Sequence, residues 1–199
     1  MARALAWGVR GFAGSSPVAP TKNMKYNRRS IRLRGYDYSN NGVYFITICT
    51  QNRECLFGKI VDNEIVLNKA GQIINDGWIK LKNEFLNIES NEYIVMPNHF
   101  HGIITVGAPL VGAQNRAGTR PAPTVGDIVG TFKSLTTNKY IQGVKSGDFP
   151  LFNKRIWQRN YHEHIIRNEK DLYKTREYIK NNPKNWKKDN YFTSLEIVS

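Results

Sequence analysis

Two hydrophobic rhythms alternate along this chain. Residues 43–50 (Val-Tyr-Phe-Ile-Thr-Ile-Cys-Thr) are β-branched and aromatic almost without a break, which predicts a strand buried on both faces. Residues 56–60 and 64–67 flank Asp62-Asn63 and read as a short hairpin. At Asn68 the period lengthens to that of a helix. Asn68 is its cap, Ile74, Trp78, Leu81 and Phe85 are its apolar face, and Phe85 is near its end. A strand ending at Met96, a turn at Pro97-Asn98 and a strand over 99–106 follow. Thr124, with Asp127 three residues on, opens a second helix whose stripe is Val125, Ile128, Phe132 and Leu135. Residues 155–166 read as a strand. Asn168 with Asp171 opens a third helix, which Pro183 ends.

The order is strand, helix, two strands, helix, strand, helix. That is an α+β, ferredoxin-like split βαβ layout: an antiparallel sheet with helices packed mainly on one face. At 199 residues one domain is expected, over 24–190. Residues 1–23 are Gly-, Ser-, Pro- and Ala-rich without periodicity. They read as a disordered or non-native extension, with Met24 as the natural start. Residues 24–40 form a basic arm, 107–123 a flexible insertion loop rich in Gly, Ala and Pro, and 191–199 a tail.

Charge narrows the partners. The formal net charge is +13 with a pI near 9.8, which favours a polyanion, above all nucleic acid. No apolar run approaches the roughly 18 residues that span a bilayer, so no membrane partner is expected. Cys49 and Cys55 are the only cysteines, too few for a zinc cluster, and two free thiols in a cytoplasmic protein are expected.

The candidate chemistry starts at His99 and His101. At i and i+2 on a strand they project from one face, roughly 7 Å apart, while Phe100 packs on the other. Such a pair is half of a metal or phosphate-handling site, or else the polar edge of an ordinary strand. On the third helix Tyr178 and Asn182, four apart, share a face. Pro183 is expected to push Asn182 out of helical geometry. A phenol of pKa about 10 is a weak nucleophile unless a cation polarises the phosphate it attacks. Tyr140, Tyr161 and Tyr173 are rival nucleophiles without the Asn-Pro context. His162 and His164 form a competing pair, with Glu163 facing the other way; His164 and Glu163 are read as supports of the active site rather than as ligands.

Met-Pro-Asn-His99-Phe-His101, the stretch Trp157-Gln-Arg-Asn-Tyr-His-Glu-His-Ile-Ile-Arg-Asn168 and Glu177-Tyr-Ile-Lys-Asn-Asn-Pro183 together resemble the HUH endonuclease superfamily. Within it they most resemble the REP-associated tyrosine transposases, over residues 24–186. The resemblance implies a metal-dependent single-stranded DNA endonuclease and strand transferase that acts near hairpins in transposition and recombination. It implies that Tyr178 attacks the scissile phosphate to give a 5′-phosphotyrosine and a free 3′-hydroxyl. By position, His99, His101 and Asn182 would bind Mg²⁺ or Mn²⁺, although imidazoles as a class suit Zn²⁺ better. Candidate contacts to single-stranded or hairpin DNA are Arg28, Arg29, Arg32, Arg34, Lys133, Lys139, Arg159 and Arg167. A cytoplasmic, nucleoid-associated monomer or homodimer is expected. The alternatives are an element-derived nucleic-acid-binding protein without catalysis, and a zinc phosphoesterase that uses water.

Overall fold

The computed structural model describes residues 42–85, 87–107 and 123–193, all within the compact unit Ile31–Ser199. The expected extension, the basic arm with Arg28, Arg29, Arg32 and Arg34, residues 108–122 of the insertion loop and the end of the tail lie outside the described residues.

The elements that position the site are β1 (Gly42–Cys49), α1 (Lys69–Glu84), β4 (Ile88–Val95), β5 (His99–Val106), α2 (Val125–Lys145), β6 (His162–Ile166) and α3 (Glu169–Asn181). Between β1 and α1 stands the hairpin of β2 (Gly58–Val61) and β3 (Glu64–Leu67). Its turn residues Asp62 and Asn63 both adopt positive φ, the geometry that matches strand twist in a two-residue hairpin. The main sheet has the order β4-β5-β1-β6 with every pair antiparallel, the split βαβ arrangement that the element order predicts.

Side-chain caps start each helix. Asn68 Oδ1 accepts from Gly71 N at 2.8 Å, Thr124 and Asp127 form a reciprocal capping box, and Asn168 Oδ1 accepts from Asp171 N at 2.9 Å. α1 and α2 pack on one face over Tyr44, Ile46, Ile48, Phe100 and Ile104. The α2 stripe is Val125, Ile128, Val129, Phe132, Thr136 and Tyr140, so Leu135 sits beside the stripe rather than in it. Trp78 is the hub of this core, with ring centroids 4.6 Å from Phe100 and 5.5 Å from Phe132.

α3 takes the other face. It closes a small second core of Ile103, Ile166 and Ile179 with Val43, Phe45, Ile94 and Leu172. Covered from both sides, β5 is buried along almost its whole length.

Gly102 shows how tight the main core is. A Cβ there would stand 2.7 Å from Trp78 Cζ2 and 2.8 Å from Phe100 Cε1. Gly102→Ala should therefore destabilise the fold by about 1–3 kcal/mol through overpacking, read as a lower urea midpoint at unchanged slope.

One strand is shorter than its sequence pattern. Only His162–Ile166 joins the sheet as β6; residues 155–161 make a single bridge, Thr50 to Trp157, and then leave. The cause is local. Lys133 Nζ donates to the carbonyls of Gln158, Arg159 and Asn160 at 2.8, 3.2 and 3.1 Å, turning three successive acceptors away from the ladder. Trp157 is anchored in the core, its Nε1 donating to Thr136 Oγ1 at 3.0 Å. Asn182 also differs from expectation. It keeps helical angles (φ −58°, ψ −43°), and its N–H bonds Ile179 O, so the chain tightens into a further turn through Pro183 rather than unwinding.

Candidate active and metal site

Register brings the chemistry together. Thr47 pairs with His101 and Cys49 with His99, so the histidines project from the β5 face that α3 covers. Both are buried and their rings are 4.5 Å apart. Asn98, itself fully buried, fixes the first of them. Its Nδ2 donates to the carbonyls of Arg53 and Tyr191, at 3.1 and 2.8 Å, which leaves Oδ1 as the atom facing His99 Nδ1 at 2.9 Å. An amide oxygen only accepts, so His99 Nδ1 carries the proton and Nε2 presents a bare lone pair. That Nε2 is buried and has no hydrogen-bond partner among the described residues. His101 Nδ1 is held by Thr47 Oγ1 at 2.8 Å, which orients its own Nε2 toward α3.

The third member was missed in the sequence. Asp189, just past the short helical turn Trp186–Lys188, brings a carboxylate oxygen to His99 and His101 so that the three ligand atoms lie within 4.8 Å of one another. Asn182 stands behind it. Its Nδ2 donates to Asp189 Oδ2 at 2.9 Å, and its own Oδ1 is buried without a partner among the described residues. Tyr191 N donates to the other carboxylate oxygen at 2.7 Å. Two buried acceptors without donors, beside a carboxylate and a second imidazole, form a donor set that fits a divalent cation. Leaving such an acceptor unpaired costs about 1–3 kcal/mol, a penalty that a bound cation would remove.

Tyr178 reaches the same place from α3. Its Oη lies 3.4 Å from His101 Nε2, and its ring stands edge-on to Phe45 at 5.9 Å. Its neighbours in a cleft of about 230 Å³ include Thr47, His162, His164 and Tyr191. Burial and then the Asp189 carboxylate push the phenol up to about 12, so at neutral pH it carries its proton. Of the rival tyrosines, Tyr140 is sealed in the main core and Tyr173 is exposed on α3. Tyr161 lies under the Lys133 ammonium. Tyr191 is a rival that the sequence did not single out, its ring 4.8 Å from that of His99.

The other candidates divide. His164 is exposed on the site's face and bonds Asp171 Oδ2 at 2.9 Å. Glu163 pairs with Ile46 on the neighbouring strand and is among the residues that line the Tyr178 cleft. Lys133 is a strut for the 158–160 loop, burial pulling its ammonium down to about 8. Lys139 faces Lys80 of α1. Arg159 and Arg167 are exposed. Cys49 and Cys55 are free, as expected, and burial raises both thiols.

Burial also sets the charge of the histidines. It pushes His99 down to about 4 against the pull of Asp189, and burial with His99 alongside holds His101 well below its usual value. Both are neutral at pH 7 and ready to ligate. A folded-state pKa below the unfolded 6.5 means that the unfolded chain binds the extra proton as pH falls. The metal-free protein should therefore be fully stable above pH 6.5 and lose stability down toward pH 4, with about 2 kcal/mol lost by pH 5 from His99 alone. Urea midpoints at pH 7.5, 6 and 5 check this; a flat profile would mean that the imidazoles protonate freely in the folded state.

No protein-family model matches the chain. A solved structure of a REP-associated tyrosine transposase bound to a REP hairpin is 24% identical, covers 77% of this chain and 73% of its own, and superposes with a TM-score of 0.50. That likeness shows a transposase-like fold. An uncharacterized protein of Haemophilus influenzae is 39% identical over 176 residues, which make up 84% of this chain and 94% of that protein. The chain belongs to the same family as this Haemophilus influenzae protein.

Proposed function

We propose that the protein is a metal-dependent single-stranded DNA endonuclease and strand transferase of the HUH type, most similar to the REP-associated tyrosine transposases. One observation carries the reading: the Tyr178 phenol stands beside His101 Nε2, at the edge of the buried His99, His101 and Asp189 cluster. A nucleophile from one element, ligands from a second and a carboxylate from a third make the kind of spatially assembled constellation that covalent phosphoryl transfer uses.

In this reading His99, His101 and Asp189 hold Mg²⁺ or Mn²⁺, and Asn182 either adds its amide oxygen or positions the carboxylate. A carboxylate makes the set harder than two imidazoles alone, which suits Mn²⁺. When bound, the cation supplies Lewis-acid polarisation of the scissile phosphate. Tyr178 Oη forms the bond to phosphorus, the bond from phosphorus to the 3′-oxygen breaks, and the phenolic proton ends on that oxygen. The products are a 5′-phosphotyrosine and a 3′-hydroxyl, and the reversed step rejoins a strand without ATP. His164, paired with Asp171, lies along the same cleft. The partner in this reading is single-stranded DNA beside a hairpin; the similar solved transposase is bound to a REP hairpin. The domain spans residues 24–190 in a cytoplasmic, nucleoid-associated protein. Among the described residues no helix is long and apolar enough to cross a membrane.

The test is a labelled single-stranded hairpin oligonucleotide incubated with the protein and Mn²⁺, followed by denaturing electrophoresis. A covalent adduct supports the reading. Cleavage without adduct points to hydrolysis by water, and retardation alone to a binding module.

A further inference from the structure

The proposed reaction moves a proton for which the groups touching Tyr178 offer no carrier. A phenol bonds to phosphorus only by giving up its hydrogen, and the 3′-oxygen departs as a hydroxyl only by gaining one. The acceptor 3.4 Å from the phenol, His101 Nε2, is a ligand in the proposed reading. Both oxygens of Asp189, another ligand there, already accept hydrogen bonds, from Asn182 Nδ2 and Tyr191 N. The carrier must be another group that lines the cleft.

His164 has the features of such a group. In the sheet it pairs with Phe45, and the ring of Tyr178 stands edge-on to that same Phe45 at 5.9 Å. Imidazole and phenol thus share one aromatic neighbour, and both line a single cleft of about 230 Å³. Asp171, in the first turn of α3, fixes the ring. Its N donates to the cap Asn168 Oδ1 at 2.9 Å, and its Oδ2 lies 2.9 Å from His164 Nε2. That second hydrogen bond is the largest cause holding the Asp171 carboxyl below its usual range. A carboxylate only accepts, so His164 Nε2 carries a hydrogen and the neutral ring leaves Nδ1 bare. Carboxylate, imidazole and nucleophile in that order make the arrangement in which a proton is taken and later returned.

The surroundings single out this imidazole. Lys174 of α3 stands near Asp171, and His162 and Glu163 flank His164 on its own strand. His101, Tyr178 and Tyr191 complete the titratable lining of the cleft. His162 has no carboxylate partner among the described residues, and both oxygens of Glu163 are buried and unpaired among them. The His164 side chain is 56% exposed, so a strand entering the cleft can reach it.

We propose that His164 is the proton carrier: its Nδ1 takes the hydrogen of Tyr178 Oη as that oxygen bonds to phosphorus, and gives it to the departing 3′-oxygen. The inference deepens the proposed function and rests on it. Asp171 is a positioning residue that sets the tautomer and steadies the imidazolium between the two transfers. In rejoining, the same nitrogen takes the hydrogen of the 3′-hydroxyl and returns it to Tyr178.

The first readout needs neither DNA nor metal. In a nitrogen NMR spectrum of the imidazoles at pH 8.5, His164 should be the Nε2–H tautomer, and Asp171→Asn should turn it into a mixture. A parent ring protonated on Nδ1 instead would overturn the proposal. The second readout is single-turnover adduct formation by the full chain on the labelled hairpin oligonucleotide with Mn²⁺. His164→Gln keeps an N–H for Asp171 but has no basic nitrogen, and should slow the adduct about 100-fold. Hairpin and Mn²⁺ affinities should stay within about 2-fold of the parent, since the step lost is chemical. His164→Ala leaves room for free imidazole, which should restore its rate at least about 10-fold and leave the parent unchanged. Full rate in His164→Gln would reduce His164 to a strut for Asp171 and overturn the proposal, as would a slow His164→Ala that imidazole does not restore. The two ideas fail separately. A parent adduct with an unimpaired His164→Gln sinks the carrier and keeps the strand transferase. No adduct from any of these proteins, the parent included, sinks the strand transferase and the carrier with it.

Discussion

Tyr178→Phe should abolish the covalent protein–DNA adduct while leaving hairpin binding and stability close to those of the parent. The phenyl ring keeps its contact with Phe45, and the hydroxyl it loses makes only a long 3.4 Å approach to His101 Nε2, so folding gives up little. In the proposed mechanism, chemistry gives up the bonding atom itself. Removing a nucleophile from a site that works as a unit costs on the order of 10³-fold or more in rate. Tyr191→Phe is the necessary companion, because that phenol also borders the histidines. Adduct retained in the Tyr178 variant and lost in the Tyr191 variant would reassign the nucleophile.

The metal should depend on Asp189 as well as on the histidines. In a calorimetric Mn²⁺ titration at pH 7.5, His101→Ala is expected to lower affinity at least about 100-fold and Asp189→Ala by about 10- to 100-fold. The histidines contribute imidazoles held neutral by burial. The carboxylate contributes the charge, which matters most where water is excluded. Asn182→Ala tests the alternative assignment. If its loss is severe while Asp189→Ala binds normally, the amide is the ligand and the carboxylate merely holds it.

Much of this arrangement was legible along the chain, and the residues show why. The Asn68 and Thr124–Asp127 caps are local chemistry, written at fixed spacing, and the helices begin where they stand. His99 and His101 share a face because a strand alternates. Tyr178 stands out through the family resemblance that its Asn-Pro context helps to carry. What could not be read depends on long-range contacts. Nothing in Glu169–Asn181 says that α3 crosses to the far face of the sheet, since its buried surface is just Thr175 and Ile179. Lys133 looks like any exposed cation on a helix until three carbonyls converge on it. Asp189 had one signal: it is the single acid between Glu177 and Glu196, set among lysines. An isolated acid in a basic stretch is more often a solubility feature, and only the turn after Pro183 makes it a neighbour of the histidines.

The division of the interior into two cores has a thermodynamic consequence. The main core holds the sheet to α1 and α2, whereas α3 is tied down by three buried isoleucines and their half-exposed neighbours. Local opening free energies follow such differences. Tyr178 thus rides on an element that should open at a lower free energy than global unfolding, while the histidine strand is built into the main core. A single domain so built carries a durable half and a reversible half, and the Tyr178 phenol sits on the reversible one.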